Sequence, residues 1–370
     1  MVVHAGSFNK VRFTPVAGMK GPTTMTLRNP KLGSAFVAVL IAALFATTPA
    51  GAQTLCGGEV PTIESNDATI VGTTGNDVIL AGPGNNAIRG LAGDDIICGG
   101  GGDDNIIGGL GRDTIFGDAG NDLVKGGSGA DTIFGGLGDD ELRGALGNDE
   151  IHGEDGNDLI KGGARHDTIF GGDGNDEIAG SPGNDVLDGA AGDDVIFGGR
   201  NDDIITGGSG SDVIDGGNHN DTISGNGGDD DILGGQGDDF INGGAGADHL
   251  LGDDGAAFDE PIGSGIEHPG GNDTIIGAGG ADYLGGEGGN DNLSGRNGLD
   301  VVDGFHGNDI IAGDNANDLL SGGTGNDQLD GGSGTDRCWP ELVVLSEGTL
   351  APTNGGDSTV ACEQINQVLN

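Results

Sequence analysis

One nine-residue phrase, Gly-Gly-x-Gly-x-Asp-x-aliphatic-x, recurs through most of this chain and leaves few folds open to it. A clean copy runs from Gly207 to Asp215. Counted in nines from Gly72, the register holds without slip through Leu251, which makes 20 copies, and it resumes from His268 to Trp339 for 8 more. The sixth place is Asp in 27 of these 28 copies, the exception being Asn86. The eighth place is Ile, Val or Leu in every copy of the first block, from Ile79, Ile88 and Ile97 to Ile241 and Leu250.

Three glycines in four places permit positive φ without a Cβ clash, so the Gly-rich half is expected to turn. Asp-x-aliphatic-x then supplies a short strand whose eighth side chain points inward while the seventh and ninth point out. Two copies close one coil of two strands and two turns, so the chain returns to the same edge with a period of 18. Coils stacked about 4.8 Å apart give two parallel sheets around an aliphatic ladder. The expected fold is all-β: a parallel β-roll, a solenoid of two copies per coil, with short N- and C-terminal caps.

These residues resemble the calcium-binding repeat-in-toxin (RTX) family, whose solenoid nonapeptide is the same phrase. The resemblance covers about 268 of the 370 residues. It implies a fold and a metal rather than an activity, because in that family the array is a module attached to proteases, lipases, epimerases, toxins and adhesins. Many members leave the cell through a one-step exporter that reads an uncleaved C-terminal signal, and they usually lack cysteine. This chain departs on both points and looks more like the secreted calcium-binding repeat proteins of actinobacteria.

The turns are expected to carry the chemistry. Calcium takes about six to eight oxygens, from carboxylates and backbone carbonyls alike. Turns of copies n and n+2 lie one above the other, so an ion between them can collect carbonyls from both loops and carboxylates from both aspartates, for example Asp113 with Asp131 or Asp212 with Asp230. The candidate ligands in the first block are Asp77, Asp95, Asp104, Asp113, Asp122, Asp131, Asp140, Asp149, Asp158, Asp167, Asp176, Asp185, Asp194, Asp203, Asp212, Asp221, Asp230, Asp239 and Asp248. In the second block they are Asp273, Asp282, Asp291, Asp300, Asp309, Asp318, Asp327 and Asp336. Stacked pairs number 18 in the first block and 6 in the second, which sets a ceiling of about 24 interior calcium sites. The plainer reading, in which each Asp bonds only its own turn, does not explain an acid at one fixed phase 27 times.

Charge agrees with an ionic role. No Asp or Glu precedes residue 53, whereas Lys10, Arg12, Lys20, Arg28 and Lys31 do, so a chain beginning at Gln53 carries 9 basic residues against 60 acidic ones, a net −51. Such like charge on a narrow rod opposes compaction. Coupled folding and calcium binding is therefore expected, with site affinities on the order of 10⁻⁴ to 10⁻³ M as in other extracellular modules.

Residues 1–52 read as a targeting segment: a basic region to Lys31, an uncharged apolar run from Ser34 to Ala46, and small residues Ala50-Gly51-Ala52 for cleavage. The run is too short to favour a membrane span, and translation starting at Met19 or Met25 would shorten the long leader. The four cysteines sit at the ends of the array, Cys56 and Cys98 near its start and Cys338 and Cys362 at its finish, and proximity favours Cys56 with Cys98 and Cys338 with Cys362 among the three possible pairings. Residues 53–71, with Ile63, Ile70 and Val71, and residues 340–370, with Leu342 to Leu345 and Val360, are the candidate caps, and Trp339 is expected to close the core between array and tail. Arg165, Asn201, His219 and Ala316 replace the fourth-place glycine, which predicts strained, weaker-binding turns. Residues 252–267 break the register and read as a surface loop between two sub-rolls or a partner-binding loop.

Outward places 18 apart should stack. Phe116, Phe134, His152 and Phe170 then form a column on one sheet, and Lys125, Arg143 and Lys161 one on the other, with Glu141 and Glu177 alongside. These are either cross-strand pairs that strengthen the sheets or a docking surface for a cell-envelope glycan or another surface protein. His-Glu-x-x-His, Gly-x-Ser-x-Gly and phosphate-loop motifs are absent from the sequence, and its charge disfavours nucleic acid. The expectation is a secreted, extracellular, non-enzymatic calcium-binding scaffold, adhesin or surface protein. The competing expectation is an RTX enzyme or toxin-like protein acting on polysaccharide or membrane, which would need a carboxylate cluster outside the sixth-place columns joined to a pocket.

Overall fold

The computed structural model describes residues 55–253 and 271–338, together with the backbone of 4–6, 10–12, 24–25, 339 and 361–362. The apolar run and cleavage region expected of the targeting segment, nearly all of the insert, the Trp339 side chain and most of the tail lie outside these residues. Met1–Thr54 and Leu55–Asn370 form separate compact units. In the first, His4–Gly6, Lys10–Arg12 and Thr24–Met25 make a three-stranded antiparallel sheet.

The second unit is the expected roll. Successive strands alternate between sheets of 16 and 15 strands, each strand pairing with the one two further along the chain. Pairing in the array is parallel and in register, as in Ile115↔Ile133 and Phe116↔Phe134. Where the tail returns, Leu329↔Cys362 and Asp330↔Ala361 pair antiparallel instead. All eighth-place side chains from Ile79 to Leu329 are buried and form one continuous ladder, against which Cys338 packs at the end. Each rung contributes roughly 2 to 3 kcal/mol of apolar burial.

The strands run further than the Asp-x-aliphatic-x half of the phrase. Thr114–Ala119 holds six residues, with burial alternating through the seventh, eighth and ninth places and on into the first, second and third of the next phrase. Only Gly-x-Asp turns. The extension arises because the backbone of the second and third places also finds partners one coil away, as in Asp118↔Gly136 and Ala119↔Leu137. Several strands of the second block keep only three residues, such as Val301–Asp303 and Ile310–Ala312, with isolated bridges such as Gly288↔His306 beyond them.

This geometry asks for positive φ at two places. Arg165, Asn201, His219 and Ala316 adopt it at the fourth, with φ of 89°, 78°, 81° and 104°. Among the described residues a further twelve non-glycine positions adopt it at the second place, including Leu91, Asp118, Glu154, Phe305 and Asp314. The strain expected at four turns is therefore spread over sixteen positions, and the inter-coil ladder holds them there.

At the N-terminal end, Ile63–Ser65 and Thr69–Val71 pair with the first strands of the array, so this stretch makes a coil of its own. Ile70 is buried in the ladder, Ile63 packs against it, and Val71 faces outward at 51% exposure. Cys56 is bonded to Cys98. Cys338 is also disulfide-bonded, and the Cys362 side chain expected to pair with it lies outside the described residues.

The register break does not divide the roll. Phe240↔Thr274 and His249↔Tyr283 continue both sheets across it, with a separation of 34 in place of 18. Gly252 takes its place in the ladder, donating its N–H to the Gly285 carbonyl and accepting from Gly235, each at 2.8 Å. Gly252 and Asp253 thus fill the first and second places of a turn that resumes at Gly271, its fourth. The excursion interrupts a turn inside a repeat, and the two blocks form one roll instead of two sub-rolls.

Candidate metal centre

The sixth-place aspartates line both turn edges and, apart from Asp336, are buried. Their two carboxylate oxygens do different jobs. One, Oδ1, accepts the backbone N–H of the sixth-place residue one coil earlier, at 2.7 to 3.1 Å, in all 26 stacked pairs. The pairs expected to share an ion meet this way, Asp113 with Asp131 at 2.9 Å and Asp212 with Asp230 at 2.9 Å. The continuous ladder adds Asp239 with Asp273 and Asp248 with Asp282, so the ceiling of 24 rises to 26.

The other oxygen, Oδ2, is buried with no hydrogen-bond partner in 25 of the 27 aspartates. Asp77 is different: its Oδ2 accepts from the Thr73 amide at 2.6 Å and hydroxyl at 2.9 Å, the local bonding that the plainer reading proposed for every copy. Asn86 leaves its Oδ1 unpartnered in the same way, while its amide donates to the Asp67 carbonyl at 2.8 Å. An unpaired buried carboxylate oxygen is costly, and here the cost recurs at nearly every turn.

The first-place glycine shows what the orphaned oxygens face. A Cβ on Gly108 would lie 2.4 Å from Asp113 Oδ2 and 2.8 Å from the Gly126 carbonyl, and one on Gly207 would lie 2.3 Å from Asp212 Oδ2 and 3.0 Å from the Gly225 carbonyl. Each turn therefore keeps a small space between an anionic oxygen and a carbonyl of the next coil, and any side chain at the first place would fill it. Hard oxygens of both kinds suit calcium. Among the described residues no three His, Cys, Asp or Glu side chains converge as a metal-binding group, so such a site leans on backbone carbonyls as much as on carboxylates. The residues that would hold the ion are the sixth-place aspartates and the turn carbonyls.

Without a cation these carboxyls ionise reluctantly. Burial, reinforced by the carboxylates above and below, pushes Asp131 and Asp140 up to about 7 and Asp221 to about 8. Asp273 is pushed furthest, to about 9, by burial and then by Asp253, Asp239 and Asp291. The ion pairs among the described residues, Arg143 with Glu141, His152 with Glu150 at 3.1 Å and His249 with Asp231 at 2.8 Å, reach none of the sixth-place aspartates.

A second ladder escaped the sequence reading. Fifth-place side chains on the outer rim accept the backbone N–H of the next coil, as Asp94 does from Arg112 at 2.9 Å and Asn290 from Asn308 at 2.9 Å. It runs opposite in direction to the sixth-place ladder. Its signal was legible, since the fifth place is Asn or Asp in 20 of 28 copies.

The outward columns form as expected. Phe116, Phe134, His152 and Phe170 stack at centroid distances of 5.0, 4.9 and 4.8 Å, with planes within 13° of parallel. Lys125, Arg143 and Lys161 share a column on the other sheet. Surface recesses sit beside Arg165, with Ser128, Leu146 and Asn148, and beside His219, with Asn218 and Gln236; neither is lined by a carboxylate.

The family described as RTX calcium-binding nonapeptide repeat (4 copies) matches residues 65–97, 99–258 and 270–338 in overlapping stretches, well over half of the chain. No curated protein matches it.

Proposed function

Since the chain belongs to the RTX calcium-binding nonapeptide-repeat family, we propose that its calcium-binding β-roll is the working part of a secreted, non-enzymatic protein that folds as ions bind and then acts outside the cell as scaffold, adhesin or surface element. The observation that carries this reading is the double column of buried, unpartnered carboxylate oxygens. A stack of uncompensated anions opposes its own formation. A divalent cation at each interval removes that opposition and joins one coil to the next. Were every stacked interval filled, 26 ions would supply about +52 against the −51 of a chain beginning at Gln53.

Secretion is supported by the basic leader, the apolar run and the small residues at Ala50 to Ala52, and by the Cys56–Cys98 bridge, a bond typical of oxidising compartments. As to partners, a surface protein fits better than a sugar packed face-on, because the rings of Phe134 and His152 are covered on both sides by their neighbours in the stack. Among the described residues no helix is long and apolar enough to cross a membrane.

Far-UV circular dichroism of the chain from Gln53 onward tests the coupling. A disordered spectrum in EDTA that becomes a strand spectrum in millimolar calcium is expected. Equal strand content in both would refute calcium-driven folding.

A further inference from the structure

The two turn edges of the roll carry different charge over the same stretch of coils. One edge follows the 15-stranded sheet. There, the third to fifth places of the copies starting at Gly108, Gly126, Gly144, Gly162 and Gly180 hold no Asp or Glu, while Arg112, Arg165 and His166 stand exposed. Asp94 one coil before and Asp202 one coil after bound this window, which is about 20 Å long at the spacing of stacked strands. On the opposite edge, the same places of the copies starting at Gly99, Gly117, Gly135, Gly153 and Gly171 hold no Lys or Arg and carry Asp103, Asp139, Asp155 and Asp173, all exposed. An acid-free window is a local departure in a chain with 60 acidic residues.

The same turns also differ in shape. On the acid-free edge Ser128 pairs with Leu110 on one side and Leu146 on the other, and the two leucines stand out at 61% and 60% exposure. The small side chain between them opens the recess that Ser128, Ala130, Leu146 and Arg165 line. On the acidic edge the order of sizes is reversed. Leu137, 56% exposed, stands between Ala119 and Asp155. One edge offers a notch between two leucines, and the other offers a single leucine to fill it.

We infer that the calcium-loaded roll associates side by side with a second copy of itself, the acid-free edge of one against the acidic edge of the next, with Leu137 seated at Ser128 between Leu110 and Leu146. This rests on the calcium reading above, because without bound ions the large like charge of the two rolls would hold them apart. Third-place residues lie towards the sheet that each turn leaves, so third place meets third place only when the second roll is turned end for end. Arg112 then comes beside Asp155, and Arg165 beside Asp103. The ion pairs within the roll, among the described residues, use neither arginine. Such a contact joins unlike edges and leaves each copy one edge free, so it propagates into an open row. An acidic polymer would satisfy the arginines but would leave the three exposed leucines without a role.

Sedimentation velocity of the chain from Gln53 onward, over a concentration series in saturating calcium, tests this, while circular dichroism reports folding separately. Association that grows with concentration and weakens as salt rises from about 0.05 M to about 0.5 M is expected. Arg112→Glu with Arg165→Glu, and separately Asp103→Lys with Asp155→Lys, should each move the association midpoint about tenfold upward at unchanged strand content. An equimolar mixture of these two variants should associate again, since the native edge of each then meets the native edge of the other. Leu137→Ser, at an exposed place that leaves the ladder intact, should weaken association without any change of charge. A fully folded chain that stays monomeric at every concentration would overturn the proposal, as would association indifferent to both charge reversals and to Leu137→Ser. A monomer that binds polyglutamate through Arg112 and Arg165 would overturn it too, by assigning the edge to an anionic partner. Absence of strand content in saturating calcium would instead overturn the calcium reading itself.

Discussion

Replacing Asp140 by Asn should reverse its effect on stability according to whether calcium is present. Asp140 Oδ1 accepts the Asp122 N–H at 2.7 Å, and its Oδ2 is buried without a partner. Asparagine keeps the first bond through its carbonyl and replaces the orphaned anion with a neutral amide. In the metal-free roll, burial and then Asp122 and Asp158 push this carboxyl from 3.8 to about 7. At about 1.4 kcal/mol per pH unit, carrying its charge above pH 7 costs at most ~4 kcal/mol, less where water and neighbours relax. Asp140→Asn removes that cost. With calcium the balance inverts. Asp140 borders two intervals, towards Asp122 and towards Asp158, and each loses a carboxylate ligand. If each ion then binds about tenfold more weakly, the roll loses ~3 kcal/mol. Two titrations of the chain from Gln53 onward measure the two signs. In EDTA, with a stabilising osmolyte added until the roll forms, the variant should need less osmolyte than the wild type; in saturating calcium it should unfold at lower urea. A variant that is weaker in both would show that the orphaned oxygen is not a burden in the metal-free state. One that is indifferent in calcium would show that Asp140 is not a ligand.

Acidity should act through the same oxygens. For carboxyls raised above 3.8 in the folded chain, the metal-free roll is favoured below that value and loses stability as pH rises through about 6 to 9; strand content in EDTA should therefore rise on acidification from pH 8 to 4, and the calcium midpoint should climb between pH 8 and 6 as protons compete. A midpoint independent of pH would contradict this. Gly126→Ala sets a Cβ 2.5 Å from Asp131 Oδ2, whereas Gly129→Ala sets one 1.7 Å from the Gly111 carbonyl at a φ of +145°. The first should weaken calcium-dependent protection near Asp131 by about 1 to 3 kcal/mol, while the second should destabilise the roll whether or not calcium is present, as thermal melts with and without calcium would show.

The period of nine alone determined that Ile115 and Ile133 point inward on one rung, that Phe116 and Phe134 stack outside, and that Asp113 lies below Asp131. Each of these follows from the alternation of a strand and the return of the chain at every second copy, which are local rules that a repeat obeys throughout. What the sequence could not decide are relations between coils. That Oδ1 is taken by an amide of the coil before, leaving only Oδ2 for a cation, depends on how two turns settle against each other. So does the positive φ that Leu91 and Asp118 accept at the second place. The clearest case is Gly252 with Asp253, which by spacing belong to an insert and by structure complete a turn. The ladder closes on whichever residues bring hydrogen-bonding groups to the edge of the neighbouring coil, and chain separation, 18 or 34, does not matter to a bond made across space.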